Sequence, residues 1–239
     1  MDKMRRAGRV VGETLEILKG AVRPGVTTIE LDEIAEREIR ARGAIPSFKG
    51  YRGFPATLCT SINNEIVHGI PAKRALKEGD LIKLDCGAIV EGYHGDSAVT
   101  LPVGEVSEDA LKLIETTDRS LQAGIAEAKP GNRIHDIGAA VQTTAEGAGF
   151  SVVREYVGHG VGRALHEDPP VPNYGKPGTG LRLEPGLVIA IEPMVNVGTF
   201  ETRLLPDGWT VVTADGALSA HFEHTIAITE HGPEVLTAV

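Results

Sequence analysis

Among 239 residues there are only two cysteines, Cys59 and Cys86. Two cannot build a disulfide framework or a cysteine-rich zinc finger, and they suit a reducing compartment. No apolar run is long enough to span a bilayer, and the N-terminus lacks the apolar core of a signal peptide. Positive charge is in the minority. The formal net charge of -9 speaks against nucleic acid or an anionic membrane as the main partner. Phosphate cradles are missing too: Gly158-x-Gly160-x-Gly162 lacks the dinucleotide-binding spacing, and no P-loop occurs. No Pro/Ser-rich linker divides the chain. One soluble, cytoplasmic domain over residues 1–239 is the expectation.

What is present begins with a repeat. Lys129-Pro130-Gly131 lies 106 residues after Arg23-Pro24-Gly25, and Gly149 lies 106 after Gly43. Between each Pro-Gly start and Gly stop, apolar residues recur every four positions: Leu31, Ala35 and Ile39, then Ile137, Val141 and Ala145. That spacing predicts two amphipathic helices, the first capped by Thr27 and Glu30. Another helix precedes each copy, near 2–19 and 107–128. In the first of these, Lys3, Arg5, Arg6 and Arg9 form a solvated face opposite Met4, Ala7, Val11 and Leu15. Strands follow each copy, near 56–62, 81–90 and 93–101, then near 151–157, 187–191, 209–213 and 219–229. The halves are about 1–105 and 106–239, and the Pro/Gly-rich stretch 169–185 reads as a long surface loop.

Four carboxylates stand where an apolar strand should avoid them. Asp85 interrupts Leu81-Ile82-Lys83-Leu84, Glu192 ends Leu187-Val188-Ile189-Ala190-Ile191, and Asp96 and Glu223 lie in comparable strands. For any one, a salt bridge or a backbone cap is an adequate explanation. Four in one cleft would repel one another unless cations neutralised them. His159, flanked by Gly158 and Gly160, supplies an imidazole with the space around it cleared. Oxygen-rich ligands with one imidazole suit two divalent ions such as Mn, Fe, Co or Zn. Such a pair generates a nucleophile from water at neutral pH, which points to hydrolysis of a carbonyl compound. His68, followed by Gly69, and His166 could face a substrate without touching metal. His135 reads as exposed, and His94, His221 and His224 as structural or supporting neighbours of the acids.

These residues resemble those of the type I methionine aminopeptidases, within the wider pita-bread group of metallopeptidases. The likeness is carried by Ser61 through Pro71, Gly92-Tyr93-His94-Gly95-Asp96, Gly158 through Pro169, Ile191-Glu192-Pro193 and Phe222-Glu223-His224-Thr225. The resemblance implies an α+β pita-bread fold, two related α/β halves around a curved antiparallel sheet. It implies two metals on Asp85, Asp96, His159, Glu192 and Glu223, with Asp96 and Glu223 bridging. It implies removal of the initiator methionine from nascent chains with a small second residue, by a metal-bridging hydroxide attacking the scissile carbonyl. Glu192 would shuttle the proton, His166 would bond the carbonyl oxygen, and His68 would contact the amide nitrogen. Tyr51, Phe54, Cys59, Leu165 and Trp209 would line the methionine pocket. A monovalent cation near Asn63, Glu65 and Ser219, a monomeric state and substrates met at the ribosome are further expectations of the resemblance. The chain departs from the commoner bacterial pattern at His221, where glutamine is expected, and at Phe54 and Leu165. Two rivals share the ligands or the fold: a proline-directed peptidase, and a non-catalytic binding module.

Overall fold

Met4, Ala7, Val11, Leu15 and Leu18 recur every three or four residues and are all buried, while Lys3, Arg5, Arg6 and Arg9 face solvent. The computed structural model describes all of residues 1–239. Its helices are α1 (Asp2–Ala21), α2 (Thr28–Ala41), α3 (Glu108–Glu127) and α4 (Ile134–Gly147). The bounds of α3 and α4 lie 106 residues after those of α1 and α2, the period found in the sequence. Thr27 accepts from the Glu30 N–H and Glu30 accepts from the Thr27 N–H, the expected capping box. No helix is long and apolar enough to cross a membrane.

The strands, in chain order, are β1 (Ile45–Pro46), β2 (Leu58–Ile62), β3 (Glu65–Val67), β4 (Leu81–Val90), β5 (Tyr93–Pro102), β6 (Ser151–Val152), β7 (Gly158–Gly160), β8 (Glu167–Val171), β9 (Val188–Ile191), β10 (Met194–Asn196), β11 (Thr202–Leu204), β12 (Val211–Thr213), β13 (Ser219–His221), β14 (Glu223–Thr229) and β15 (Gly232–Val235). The main sheet runs β1-β4-β5-β14-β9-β7-β8, with β2 on β4 and β15 on β14. Two three-stranded sheets, β13-β10-β6 and β11-β12-β3, complete the fold, and all pairings are antiparallel.

Strand alternation decides which face carries the site. On β4, Ile82, Leu84, Cys86 and Ala88 join the core under α1 and α2, so Lys83 and Asp85 face the other way. On β5, Val99 joins that core and Leu101 packs against it, which leaves Asp96 and Ala98 on the side of Asp85. Ile189 and Ile191 of β9, with Ile226 and Ile228 of β14, pack beneath α3 and α4, so Glu192 and Glu223 also face away from the helices. Each helix pair therefore buries one face of the sheet and leaves the carboxylates together on the opposite one. The α1–β5 approach is close: a Cβ on Gly95 would sit 2.7 Å from Gly8 N, so only glycine lets the helix lie this near the strand.

Some boundaries differ from the sequence expectation. The strand expected over 151–157 stops at Val152, and the one over 219–229 is interrupted at Phe222. The expected surface loop 169–185 begins inside β8, and Val171, Asn173 and Leu183 within it are buried. Pro169 and Pro170 are tolerated in β8 because it is an edge strand of the sheet path. His135, expected on an exposed helix face, is half-buried; its Nδ1 meets Thr179 Oγ1 at 2.7 Å and ties α4 to that loop.

Candidate metal centre

Asp85 pairs across β4–β5 with Ala98, and Ala98 pairs across β5–β14 with Glu223. The three form one row, with the small Ala98 between two carboxylates. Asp96 is two residues from Ala98 and shares its face. The register pairing Ile191 with His224 also pairs Met194 with His221, so it continues across the interruption and sets Glu192 opposite Glu223. Between β5 and β14 only Glu223–Ala98 and His224–Ser97 are paired. Side chains take over on either side: Thr225 Oγ1 accepts from Asp96 N and donates to Asp96 O, while Thr100 Oγ1 accepts from His221 N and donates to His221 O. The strands are thus spread apart, yet still bonded, where the acids meet.

His159 reaches the row from β7. A Cβ on Gly158 would collide with Ala190 O, and one on Gly160 with Asp168 O, so both glycines are needed for this strand to fit. The His159 Nδ1 lies 2.8 Å from Gly160 O, which can only accept. Nδ1 therefore carries the proton and Nε2 presents a lone pair. That Nε2 lies 3.5 Å from Glu192 Oε1 and 3.9 Å from Asp96 Oδ2, too long for hydrogen bonds.

Ligand atoms of Asp96, His159 and Glu223 lie within 4.8 Å of one another, as do those of Glu192, His221 and Glu223. Glu223 is common to both groups. One oxygen each of Asp85, Asp96 and Glu223 is buried with no hydrogen-bond partner. Buried, unpartnered carboxylate oxygens beside an imidazole lone pair are a donor set that fits divalent cations. Burial pushes Asp85 up to about 7. Burial first, and then the neighbouring charges, push Asp96, Glu192 and Glu223 well above the usual carboxylate range.

These shifts set a pH dependence for the metal-free protein. A carboxyl whose pKa is raised by folding stabilises the fold fully below its unfolded pKa, and loses that contribution as pH rises through the folded one. The buried histidines act oppositely: burial lowers His68 to about 4 and His221 to about 3, so their contribution is lost only as pH falls below about 6.5. From pH 6.5 to 8.5 the four raised carboxyls outweigh the one buried group that acts the other way, the Lys83 amine lowered by burial to about 7, and the Tm of chelator-treated protein should fall. Added divalent metal should raise Tm more at pH 8.5 than at 6.5, because the ligands must be deprotonated to bind. A metal-free Tm that is flat or rising over this range contradicts the electrostatic picture.

A cavity of about 160 Å³ opens beside the carboxylates. Tyr51, Phe54, Cys59, Leu165 and Trp209, expected as a pocket, all line it, and so do His68 and His166. Phe54 and Trp209 meet edge to face at 5.1 Å. His68 follows β3 in a left-handed conformation (φ 62), and the turn is fastened to β2 by Thr60 N donating to Gly69 O and Gly69 N donating to Ser61 Oγ. His166 stands at the mouth, its Nδ1 2.9 Å from Tyr51 Oη and its ring 4.2 Å from that of His159. Asn63, Glu65 and Ser219 lie apart from this cavity, around the turn before β3 and at the start of β13.

Three residues went unmarked or under-weighted in the sequence. Phe48 and Arg52 also line the cavity, and no periodic signal announces either. His221 is fully buried, its Nε2 is 3.7 Å from Glu192 Oε2, and neither ring nitrogen has a hydrogen-bond partner. Its spacing of two from Glu223 was the available signal, since it places both on one face. His94 bonds Ser47 Oγ at 3.0 Å and His224 bonds Thr237 Oγ1 at 2.8 Å, both structural contacts. His221→Leu should weaken metal affinity about 10–100-fold, as loss of an outer partner of a ligand does, with His221→Gln much closer to the parent. Titration calorimetry with Mn or Co checks this; equal affinity in His221→Leu would remove His221 from the site.

The model of metallopeptidase family M24 matches residues 2–230. The chain is 60% identical over 236 residues to "Methionine aminopeptidase 1" of Bacillus subtilis, covering 99% of this chain and 95% of that protein. It superposes on the crystal structure of methionine aminopeptidase from Thermotoga maritima with a TM-score of 0.98 at 46% identity, covering 100% and 96% of the two chains. A prolidase from Pyrococcus furiosus is similar in fold alone, with a TM-score of 0.80, 21% identity and 63% of its own length covered.

Proposed function

From the premise that this chain belongs to metallopeptidase family M24, we propose that it is an aminopeptidase that removes the N-terminal methionine from polypeptides. The fold is the pita-bread fold. The observation that carries the reading is the open cavity set against the carboxylate row, with one wall of apolar side chains and with His68 and His166 in its lining. Full-length identity to methionine aminopeptidases supports the same substrate.

Asp85, Asp96, His159, Glu192 and Glu223 would hold divalent ions, two in number, with Asp96 and Glu223 shared between them. Co, Mn, Fe and Zn all suit this ligand set. Ions held there would supply charge to polarise the scissile carbonyl and to make water a nucleophile near neutral pH. The protein groups do the rest. Tyr51, Phe54, Cys59, Leu165 and Trp209 enclose an unbranched thioether side chain and exclude water from it. Glu192, whose burial favours a bound proton, accepts the proton released as the carbonyl is attacked and returns it. Tyr51 Oη lies 2.9 Å from His166 Nδ1, and in the tautomer with Tyr51 as donor, His166 Nε2–H is left to donate to the developing oxyanion. His68, kept neutral by burial, contacts the amide nitrogen that leaves. The chain acts as one catalytic domain with halves 1–105 and 106–239. A monomer meeting nascent chains at the ribosome in the cytoplasm completes the reading, and rests on resemblance.

Release of methionine from Met-Ala-Ser, with little from Met-Asp peptides, is the expected result in a peptidase assay. Turnover of X-Pro peptides above Met-Ala peptides would transfer the same site to proline-directed substrates.

A further inference from the structure

The place where a monovalent cation is expected already contains an amine. Lys83 lies on the carboxylate face of β4, two residues before Asp85, and is 1% exposed. Its Nζ donates to Asn63 O at 2.7 Å and to Ser219 O at 3.0 Å. Asn63 and Ser219 are two of the three residues expected around the cation. Asn63 O also accepts from Ser219 N at 3.1 Å, so two N–H donors engage its lone pairs. The Glu65 carboxylate is committed as well, to Ile62 N and to the Arg74 guanidinium.

The geometry is built rather than incidental. Asn63 sits in a left-handed turn (φ 55), where asparagine is among the residues best tolerated. Its side chain fixes that turn: Nδ2 donates to Asp80 Oδ1 and Oδ1 accepts from Leu81 N. The carbonyl is thereby aimed at the strand that carries Lys83. Ser219 opens β13, which leads through His221 to Glu223. A cation at this point ties the turn between β2 and β3 to β13, the strand that leads to Glu223.

We propose that the Lys83 amine takes the place of an alkali cation in this fold, so that the protein needs neither potassium nor sodium to hold β13 against the β2–β3 turn. The residues around it do not fit an added ion, because the space between the two carbonyls is filled and their oxygens are engaged. Burial lowers the pKa of Lys83 to about 7, but the amine offers two N–H groups and the ammonium three, so either form satisfies both carbonyls. The inference stands apart from the peptidase reading, and its test reads stability rather than turnover.

The test is the thermal midpoint of the metal-loaded protein in potassium or sodium chloride against choline chloride at equal ionic strength. The parent should show the same Tm in all three salts. Lys83→Ser, which empties the space, should lose about 5–10 °C in choline and recover a saturable part of it in potassium or sodium. Lys83→Met, which fills the space without a donor, should be destabilised equally in every salt. A parent Tm that rises saturably with potassium or sodium overturns the proposal, since an ion would then be binding beside or instead of the lysine. A Lys83→Met protein as stable as the parent overturns it too. So does a folded Lys83→Ser protein that ignores both ions. Should Lys83→Ser fail to fold, the parent salt series and Lys83→Met decide the matter.

Discussion

Glu223→Gln should abolish peptidase turnover, by about 10³-fold or more, and weaken divalent-metal binding at least about 100-fold. Glu223 is the one residue common to both groups of neighbouring ligand atoms. It is 2% exposed, and its Oε1 has no hydrogen-bond partner within the protein. Glutamine keeps the volume and the strand pairing with Ala98 but removes the charge. Without metal, the variant should melt no lower than the metal-free parent. Burial and the charges of Asp96, Glu192 and Asp85 all oppose ionisation at this position, so the neutral amide relieves a repulsion. Calorimetric titration, turnover and thermal melting together check the claim. A Glu223→Gln protein that binds metal as tightly as the parent would mean that the shared position is wrong.

His68→Ala should behave differently. Turnover should fall by about 10²–10⁴-fold, the usual range for a lost proton-transfer or hydrogen-bonding group at the reacting atoms. Metal content should be unchanged, because His68 belongs to neither group of ligand atoms. Its ring lines the cavity between Trp209 and Tyr156, at centroid distances of 6.4 and 6.1 Å. Burial holds it neutral, at about 4, so no loss of a positive charge accompanies the substitution. Metal analysis beside steady-state kinetics separates the two effects. Loss of metal in this variant would place His68 among the ligands and break the division between substrate-facing and metal-facing residues.

The helices and the long strands were legible because their periods are long. The 106-residue repeat returned both helix pairs, α1 and α3 to within two residues of their bounds, and the ten-residue strand β4 was readable as a largely apolar run. The acids stood out as charges that interrupt or end apolar runs. The second half was harder. Most of its strands have two to four residues, too few to show a period, and β13 and β14 are separated by a single residue that no local signal marks. Phe48, Arg52 and Lys83 matter through what lies across from them. Lys83 could be placed on the face of Asp85 by counting, but its partner Ser219 is 136 residues away, and only the folded sheet brings them together.

The most direct measurement is a peptidase assay on chelator-stripped protein, with Met-Ala-Ser and Ala-Pro-Ala in parallel and Co, Mn, Fe and Zn each titrated back. Silence after stripping, and metal-dependent release of methionine from Met-Ala-Ser alone, is the predicted result. Cleavage before proline would leave the carboxylate centre standing and overturn the substrate. No turnover with any metal would contradict the account at its centre, leaving a fold that binds rather than cuts.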